Sequence, residues 1–259
     1  MNLESHLLAR RESGAKLLVP YVTGGLGGWV DVVRAVVDAG ADAVEIGIPF
    51  SDPVMDGVTI QEASQRALAE GATPSGILSE ARSLDVDVPL VVMTYYNTVH
   101  HAGHERFAAS LVDSGIDGAI VPDLPLDELG GWGIAADTAG VETVLLAAPT
   151  TTDDRLRAIC ERSRGFVYGV SLLGVTGVRD HLAAQAVEMG KRCKAVTDRP
   201  VLLGVGISTP EQAVGAAAAS DGVVVGSALM ERVLRSGDAE TAHDFVAELR
   251  AALDEQGAA

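Results

Sequence analysis

DAGADAVEI, residues 38–46, returns in altered spelling as DSGIDGAIV at 113–121, TAGVETVLL at 138–146 and AASDGVVVG at 218–226. Each copy leaves a helix-like segment, turns on Gly or Ser, sets an Asp or Glu just ahead, and enters a β-branched run. Glycine suits that turn because the backbone past a helix end goes left-handed, which a residue without Cβ adopts freely. The phrase is one α-to-β connection used repeatedly. Eight strand candidates follow along the chain, at 17–23, 43–49, 89–95, 118–123, 143–149, 166–171, 201–206 and 222–226. They are continuously apolar where a half-exposed strand would alternate, which suits a parallel sheet buried on both faces. Eight such strands separated by helices predict a (β/α)8 barrel, the TIM-barrel architecture. A doubly wound sheet would use fewer strands, and no Gly-x-Gly-x-x-Gly follows the first one.

The 259 residues accommodate this as one domain spanning 1–259. A helix-like stretch at 4–11 precedes the first strand and is placed to cover one barrel end; another at 238–256 closes the chain. Apolar residues make up 47% but aromatics only 4%, so the core is built of Ala, Val, Leu and Ile. No apolar run reaches the ~18 residues of a membrane span, and the N-terminus has no signal-like region. Cys160 and Cys193, without clustered partners, suit a reduced cytoplasmic protein. The net charge of −17 argues against nucleic-acid and anionic-membrane partners. It leaves room for a small phosphorylated ligand, which backbone N–H groups can hold locally.

Three connections after strand ends read as long loops, at 50–58, 97–104 and 172–180, on the face where such barrels keep their sites. Residues 44–61, VEIGIPFSDPVMDGVTIQ, set one carboxylate, Glu45, inside a strand and another, Asp56, on the loop beyond. Burying a bare charge is costly. Glu45 is therefore either paired structurally or used with Asp56 for acid/base work, and both readings stand at this point. Gly204-Val205-Gly206 ends the seventh strand ahead of a helix opened by Thr209-Pro210, and Gly226-Ser227 ends the eighth. Glycines there let backbone N–H groups close on an anion, and strands seven and eight are a usual phosphate site. Gly177 after strand six offers a third wall.

With these residues assembled, the chain resembles the tryptophan synthase alpha subunit family. The resemblance runs from VPYVTGG at 19–25 to VVVGSALM at 223–230. It is carried by EIGIPFSDPVMDGVTIQ at 45–61, VVMTYYN at 91–97, VPDLP at 121–125, VYGVSLLGVTG at 167–177 and LLGVGISTPEQ at 202–212. It implies a lyase that cleaves indole-3-glycerol phosphate by retro-aldol chemistry, with no metal or organic cofactor. It implies a pyridoxal-phosphate-dependent β subunit as partner in an α2β2 hetero-tetramer. Glu45 matches the strand-held acid/base, Asp56 the loop carboxylate, and Tyr168 a tyrosine of the substrate site. Gly177, Gly206, Gly226 and Ser227 fall where the family binds phosphate. Tyr21, Tyr95, Leu124 and Ile207 match its indole pocket, and Thr176 its sixth loop, reaching toward Asp56 on closure. A stand-alone lyase feeding specialised metabolism and a catalytically weak activating partner are the other readings.

The chain departs from the family pattern at Val58, Thr98 and Leu172-Leu173, where Pro, Pro and an Arg-bearing loop are common. These changes touch loop closure. His100, His101 and His104 look like metal ligands but lack a carboxylate at matching helical spacing and read as a solvated loop. Trp29 and Trp132 read as packing residues, and Asp123 as supporting either site or fold.

Overall fold

The structure, a computed structural model, describes residues 2–170, 179–204 and 206–257, with backbone alone for 179–186 and 257. Eight parallel strands form a closed barrel in chain order: β1 Leu17–Thr23, β2 Val44–Gly47, β3 Leu90–Met93, β4 Gly118–Ile120, β5 Glu142–Ala147, β6 Val167–Val170, β7 Val201–Gly204 and β8 Gly222–Val225, with β8 pairing back onto β1. All eight expected strands are present: β1 fills its whole apolar run, and the others are shorter than theirs. At the mouth the backbones turn away toward the loops, leaving single bonds such as Ile48 N–H to Met93 O (2.8 Å) beyond the regular ladder.

Helix α1 (Leu3–Glu12) precedes the barrel. Around it lie α2 (Trp29–Asp38), α3 (Val58–Ala69), α4 (Pro74–Ala81), α5 (Tyr96–Ala102), α6 (His104–Asp113), α7 (Gly130–Ala139), α8 (Asp153–Arg162), α9 (Arg179–Lys194), α10 (Pro210–Ala217) and α11 (Ser227–Ser236), and α12 (Ala239–Gly257) closes the chain. Two cores result. Leu17, Val19, Val91, Val144, Phe166 and Leu202 fill the barrel, with Leu3 and Leu7 of α1 plugging its N-terminal end. Residues of opposite parity, such as Leu18, Val22, Ile46 and Val92, face the helices. None of the described helices is long and apolar enough to cross a membrane.

The acid of the repeated phrase serves this N-terminal floor. Asp42, ahead of β2, accepts from Leu18 N–H of β1 at 2.8 Å; Asp117, ahead of β4, from Leu90 of β3 at 3.1 Å; Asp221, ahead of β8, from Val201 of β7 at 2.8 Å. Ser163 does the same ahead of β6, accepting from Leu145 of β5 at 3.0 Å. Every second connection thus supplies a side-chain acceptor to the strand before it. The fourth acid, Glu142, accepts from Glu4 N–H at 3.0 Å and ties α1 to the floor.

One expected loop is corrected. Residues 97–104 are helical, divided between α5 and α6 at Gly103, whose φ of +86° breaks the run. Tyr95, the residue before α5, makes no side-chain cap. The acceptor is Asp123 Oδ1, which takes Tyr96 N–H at 2.8 Å from the turn beyond β4. A helix start satisfied from 27 positions away leaves no local signature.

Candidate active site

At the C-terminal mouth a cavity of about 280 Å3 opens between the strand ends. Inward parity places its polar members. Tyr21 and Glu45 are register partners on β1 and β2 and face the interior side by side. Glu45 is 3% exposed, and its Oε2 has no hydrogen-bond partner among the described residues. Burial, with a further push from the Asp56 charge, raises its carboxyl to about 8. It therefore holds a proton at neutral pH, in a site that leaves one oxygen unmatched.

Asp56 reaches the cavity from the loop between β2 and α3. Burial also raises its carboxyl above the ordinary carboxylate value, opposed by a hydrogen bond from the Tyr95 hydroxyl. The backbone beside it is fixed by Gln61 Nε2 donating to Asp56 O at 2.8 Å. Two carboxyls thus face one space from different elements, the strand-held one more deeply desolvated.

Two tyrosines lie over glycines. A Cβ on Gly47 would fall 1.9 Å from the Tyr21 hydroxyl, and one on Gly204 would fall 2.6 Å from that of Tyr168. Gly47 and Gly204 are therefore seats for phenol rings, a role the sequence does not signal. Burial raises both hydroxyls above their usual value, so they stay protonated donors.

The opposite wall suits an anion. Gly226 precedes the first turn of α11, Ser227 begins it, and no side chain caps its N–H groups. Gly206 has φ +71° with no atom near its missing Cβ, leaving the backbone open to approach. Helix N-terminal donors plus glycine clearance make an anion pocket even in an acidic chain. Ile60, Met93, Ile120 and Leu146 make the rest largely apolar.

Of the residues singled out in the sequence, Tyr21, Glu45, Asp56, Tyr168, Gly206, Ile207, Gly226 and Ser227 line this one cavity. Tyr95 does not: its ring lies beneath the β2–α3 loop, where its hydroxyl accepts from Met55 N–H at 3.0 Å. Leu124 does not either. A tight turn, Leu124 N–H to Val121 O at 3.1 Å, sends it to a separate apolar cavity with Leu145 and Ile159, and Pro122 takes the wall position. Thr176, Gly177 and Leu172-Leu173 lie outside the described residues. Met93, Ile120 and Leu146 are wall residues that the sequence reading missed; counting inward parity outward from Glu45 would have found them.

His100 and His101 are exposed on α5, and His104 Nε2 meets the Tyr96 hydroxyl at 3.0 Å. No group of three or more His, Cys, Asp or Glu among the described residues is arranged to hold a metal ion. Cys160 and Cys193 are free thiols, both buried.

A family model for the tryptophan synthase alpha chain matches residues 7–257. The tryptophan synthase alpha chain of Thermobifida fusca is 42% identical over 97% of both chains. That of Methanosarcina mazei is 49% identical over 80% of this chain and 76% of its own. A crystal structure of tryptophan synthase subunit alpha from Legionella pneumophila aligns with TM-score 0.89 at 32% identity, covering 98% of this chain and 99% of the other. Matched along nearly its whole length and in every strand of the barrel, the chain belongs to the tryptophan synthase alpha chain family.

Proposed function

We propose that this chain is the lyase subunit of tryptophan synthase, cleaving indole-3-glycerol phosphate to indole and glyceraldehyde 3-phosphate. The observation that carries the reading is Glu45: a buried carboxyl, protonated at neutral pH, with an unmatched oxygen, sharing a cavity with Asp56. The phosphate takes the Gly206, Gly226 and Ser227 end, which sets the indole against the apolar wall near the carboxyls. Glu45 gives its proton to indole C3. The resulting indolenine cation draws in the electrons of the breaking C–C bond, while Asp56 stabilises N1–H as it becomes positive. As that bond breaks, the hydroxyl on the glycerol carbon loses its proton and becomes the aldehyde carbonyl, and the indole ring regains its neutral form. The Glu45 carboxylate left by the first step is the nearest base to receive the hydroxyl proton, which restores the acid for the next turnover.

The relatives' designation as alpha chains favours a subunit over a stand-alone lyase. A β subunit that consumes indole is the expected partner, in an α2β2 assembly in the cytoplasm, with residues 1–259 as one domain. The test is indole release from indole-3-glycerol phosphate by the purified chain, with and without a β subunit, alongside Asp56→Asn. Wild type should release indole, and Asp56→Asn should lose turnover while substrate affinity holds. A wild-type chain silent under both conditions rules the reading out.

A further inference from the structure

The loop that delivers Asp56 lacks the usual means of stiffening. Gly57 caps α3 without a side chain, and Val58 opens the helix where a proline would fit. Besides the Gln61 bond to the Asp56 backbone, the hold comes from Tyr95. Its hydroxyl accepts Met55 N–H at 3.0 Å, and the same hydroxyl draws the neighbouring Asp56 carboxyl downward. Its ring stacks on Phe50, centroids 5.1 Å apart, at the other end of the same loop. Tyr95 is 2% exposed, so its position is set by packing. The next residue is anchored in turn, because Tyr96 N–H is held by Asp123 Oδ1 at 2.8 Å. The ends of β2, β3 and β4 are thereby braced through two side chains, Tyr95 and Asp123.

We propose that Tyr95 is a positioning residue for the lyase reaction, presetting the β2–α3 loop and aiming Asp56 into the cavity before any partner binds, with Asp123 as its anchor. This rests on the function proposed above and reassigns Tyr95 from the indole wall. The charged and titratable groups around Asp56 are Tyr21 from β1, Glu45 from β2 and Tyr95 after β3, and Asp123 stands behind Tyr95. Donation from Tyr95 favours the ionised carboxylate. Its loss should therefore raise the Asp56 carboxyl further and shift the acid limb of turnover to higher pH.

The experiment compares wild type, Tyr95→Phe, Asp123→Ala and Asp123→Asn in steady-state cleavage of indole-3-glycerol phosphate across pH. Tyr95→Phe keeps the stacked ring and removes only the oxygen. Its kcat should fall roughly three- to tenfold, the worth of one hydrogen bond, with KM little changed and the acid limb moved upward. Asp123→Ala should move the same way by less. Asp123→Asn, which keeps an acceptor for Tyr96 N–H, should stay near wild type. A Tyr95→Phe enzyme with wild-type kcat and an unmoved limb overturns the proposal. So does a rise in KM at constant kcat, which would return Tyr95 to the pocket wall. If wild type itself releases no indole, the functional reading fails and this one falls with it; an active wild type with an indifferent Tyr95→Phe defeats this inference alone.

Discussion

Asp42 and Glu45 flank the start of β2, three positions apart, and both are buried, at 2% and 3% exposed. Their treatment is opposite. Asp42, on the barrel floor, accepts from Leu18 N–H at 2.8 Å and pairs with Arg10 at 2.6 Å and Arg250 at 3.2 Å. Glu45, facing the mouth, keeps one oxygen without a partner among the described residues, and no arginine or lysine among them is set against it. A buried charge without partners is unfavourable by several kcal/mol, so the unpartnered carboxyl at the mouth keeps its proton instead. The floor's carboxylates are finished by the protein. The mouth's carboxyl is left for a ligand to finish, and that contrast separates the structural acids from the working one.

Glu45→Gln tests the contrast most severely. The amide keeps the shape and cannot deliver a proton, so indole release should fall at least a hundredfold, the lower range of general acid catalysis. Stability should move the other way. The folded carboxyl titrates at about 8 against 4.5 for an ordinary glutamate. Between those values the native state keeps a proton that the unfolded chain releases, so wild-type stability falls as pH rises through that window. The amide variant, which does not titrate, has no such loss. Thermal melts of the two proteins at pH 5 and pH 9 should show the variant gaining on wild type at the higher pH, and a pH-independent difference would show that Glu45 carries no buried proton.

Asp42→Asn is the matching experiment at the floor. It strips the acidic partner shared by Arg10 and Arg250, and Arg250 is only 9% exposed. Breaking a buried pair costs ~3–5 kcal/mol. The low end applies here, because Arg250 keeps Asp254 at 2.7 Å and Lys16 O at 2.8 Å. Denaturant unfolding should report about that loss, while kcat per folded molecule stays at wild type. A large fall in kcat would mean that floor and mouth are coupled.

A smaller effect comes from pH alone. Turnover should decline on the basic side as Glu45 loses its proton near 8, and on the acid side as Asp56 takes one up, above the range of an ordinary carboxylate. Rate profiles at saturating substrate check this. A basic limb that persists in an Asp56→Asn enzyme with residual activity belongs to Glu45, whereas its disappearance would reverse the two roles.

The contrast also marks what the sequence can carry. Strand count, the α-to-β phrase and the Glu45–Asp56 pair are written in local runs and spacings, and the barrel follows from them. The side on which a residue lies past a strand end is not. Tyr95 sits two residues beyond inward-facing Met93, so parity alone sends it into the cavity; the strand ends at Met93 and the chain turns it under the loop. Leu124 is diverted by the turn beginning at Val121. Gly47 and Gly204 read as ordinary strand glycines, since their purpose lies in phenols carried by β1 and β6. Helix α5 hides for the same reason, its first N–H being answered from beyond β4.

The smallest expected effect concerns two helices that both begin at the mouth. Helix α10 starts with Thr209 capping Gln212 N–H and Pro210 in its first turn, whereas α3 starts with Gly57-Val58 and no side-chain cap. The stiffer start lies on the proposed phosphate side, and the looser one carries Asp56. Val58→Pro would bring α3 closer to the α10 pattern. Gly57 already has φ −71° and ψ 164°, the extended form that a residue before proline requires. Position 58 is the first helical residue, where the missing N–H costs no intrahelical bond, and Val58 is 82% exposed, so little packing is lost. The gain from reduced loop freedom is ~0.4–1 kcal/mol. If the isolated chain turns over slowly because this loop is too often open, that gain appears as a roughly two- to fivefold higher rate without the β subunit. With a partner that already favours the closed form, the same substitution should add almost nothing. Indole formation by wild type and Val58→Pro, each with and without the β subunit, gives the four rates. A ratio of one in both conditions would show that loop closure limits neither, and would place the slow step in the chemistry at Glu45.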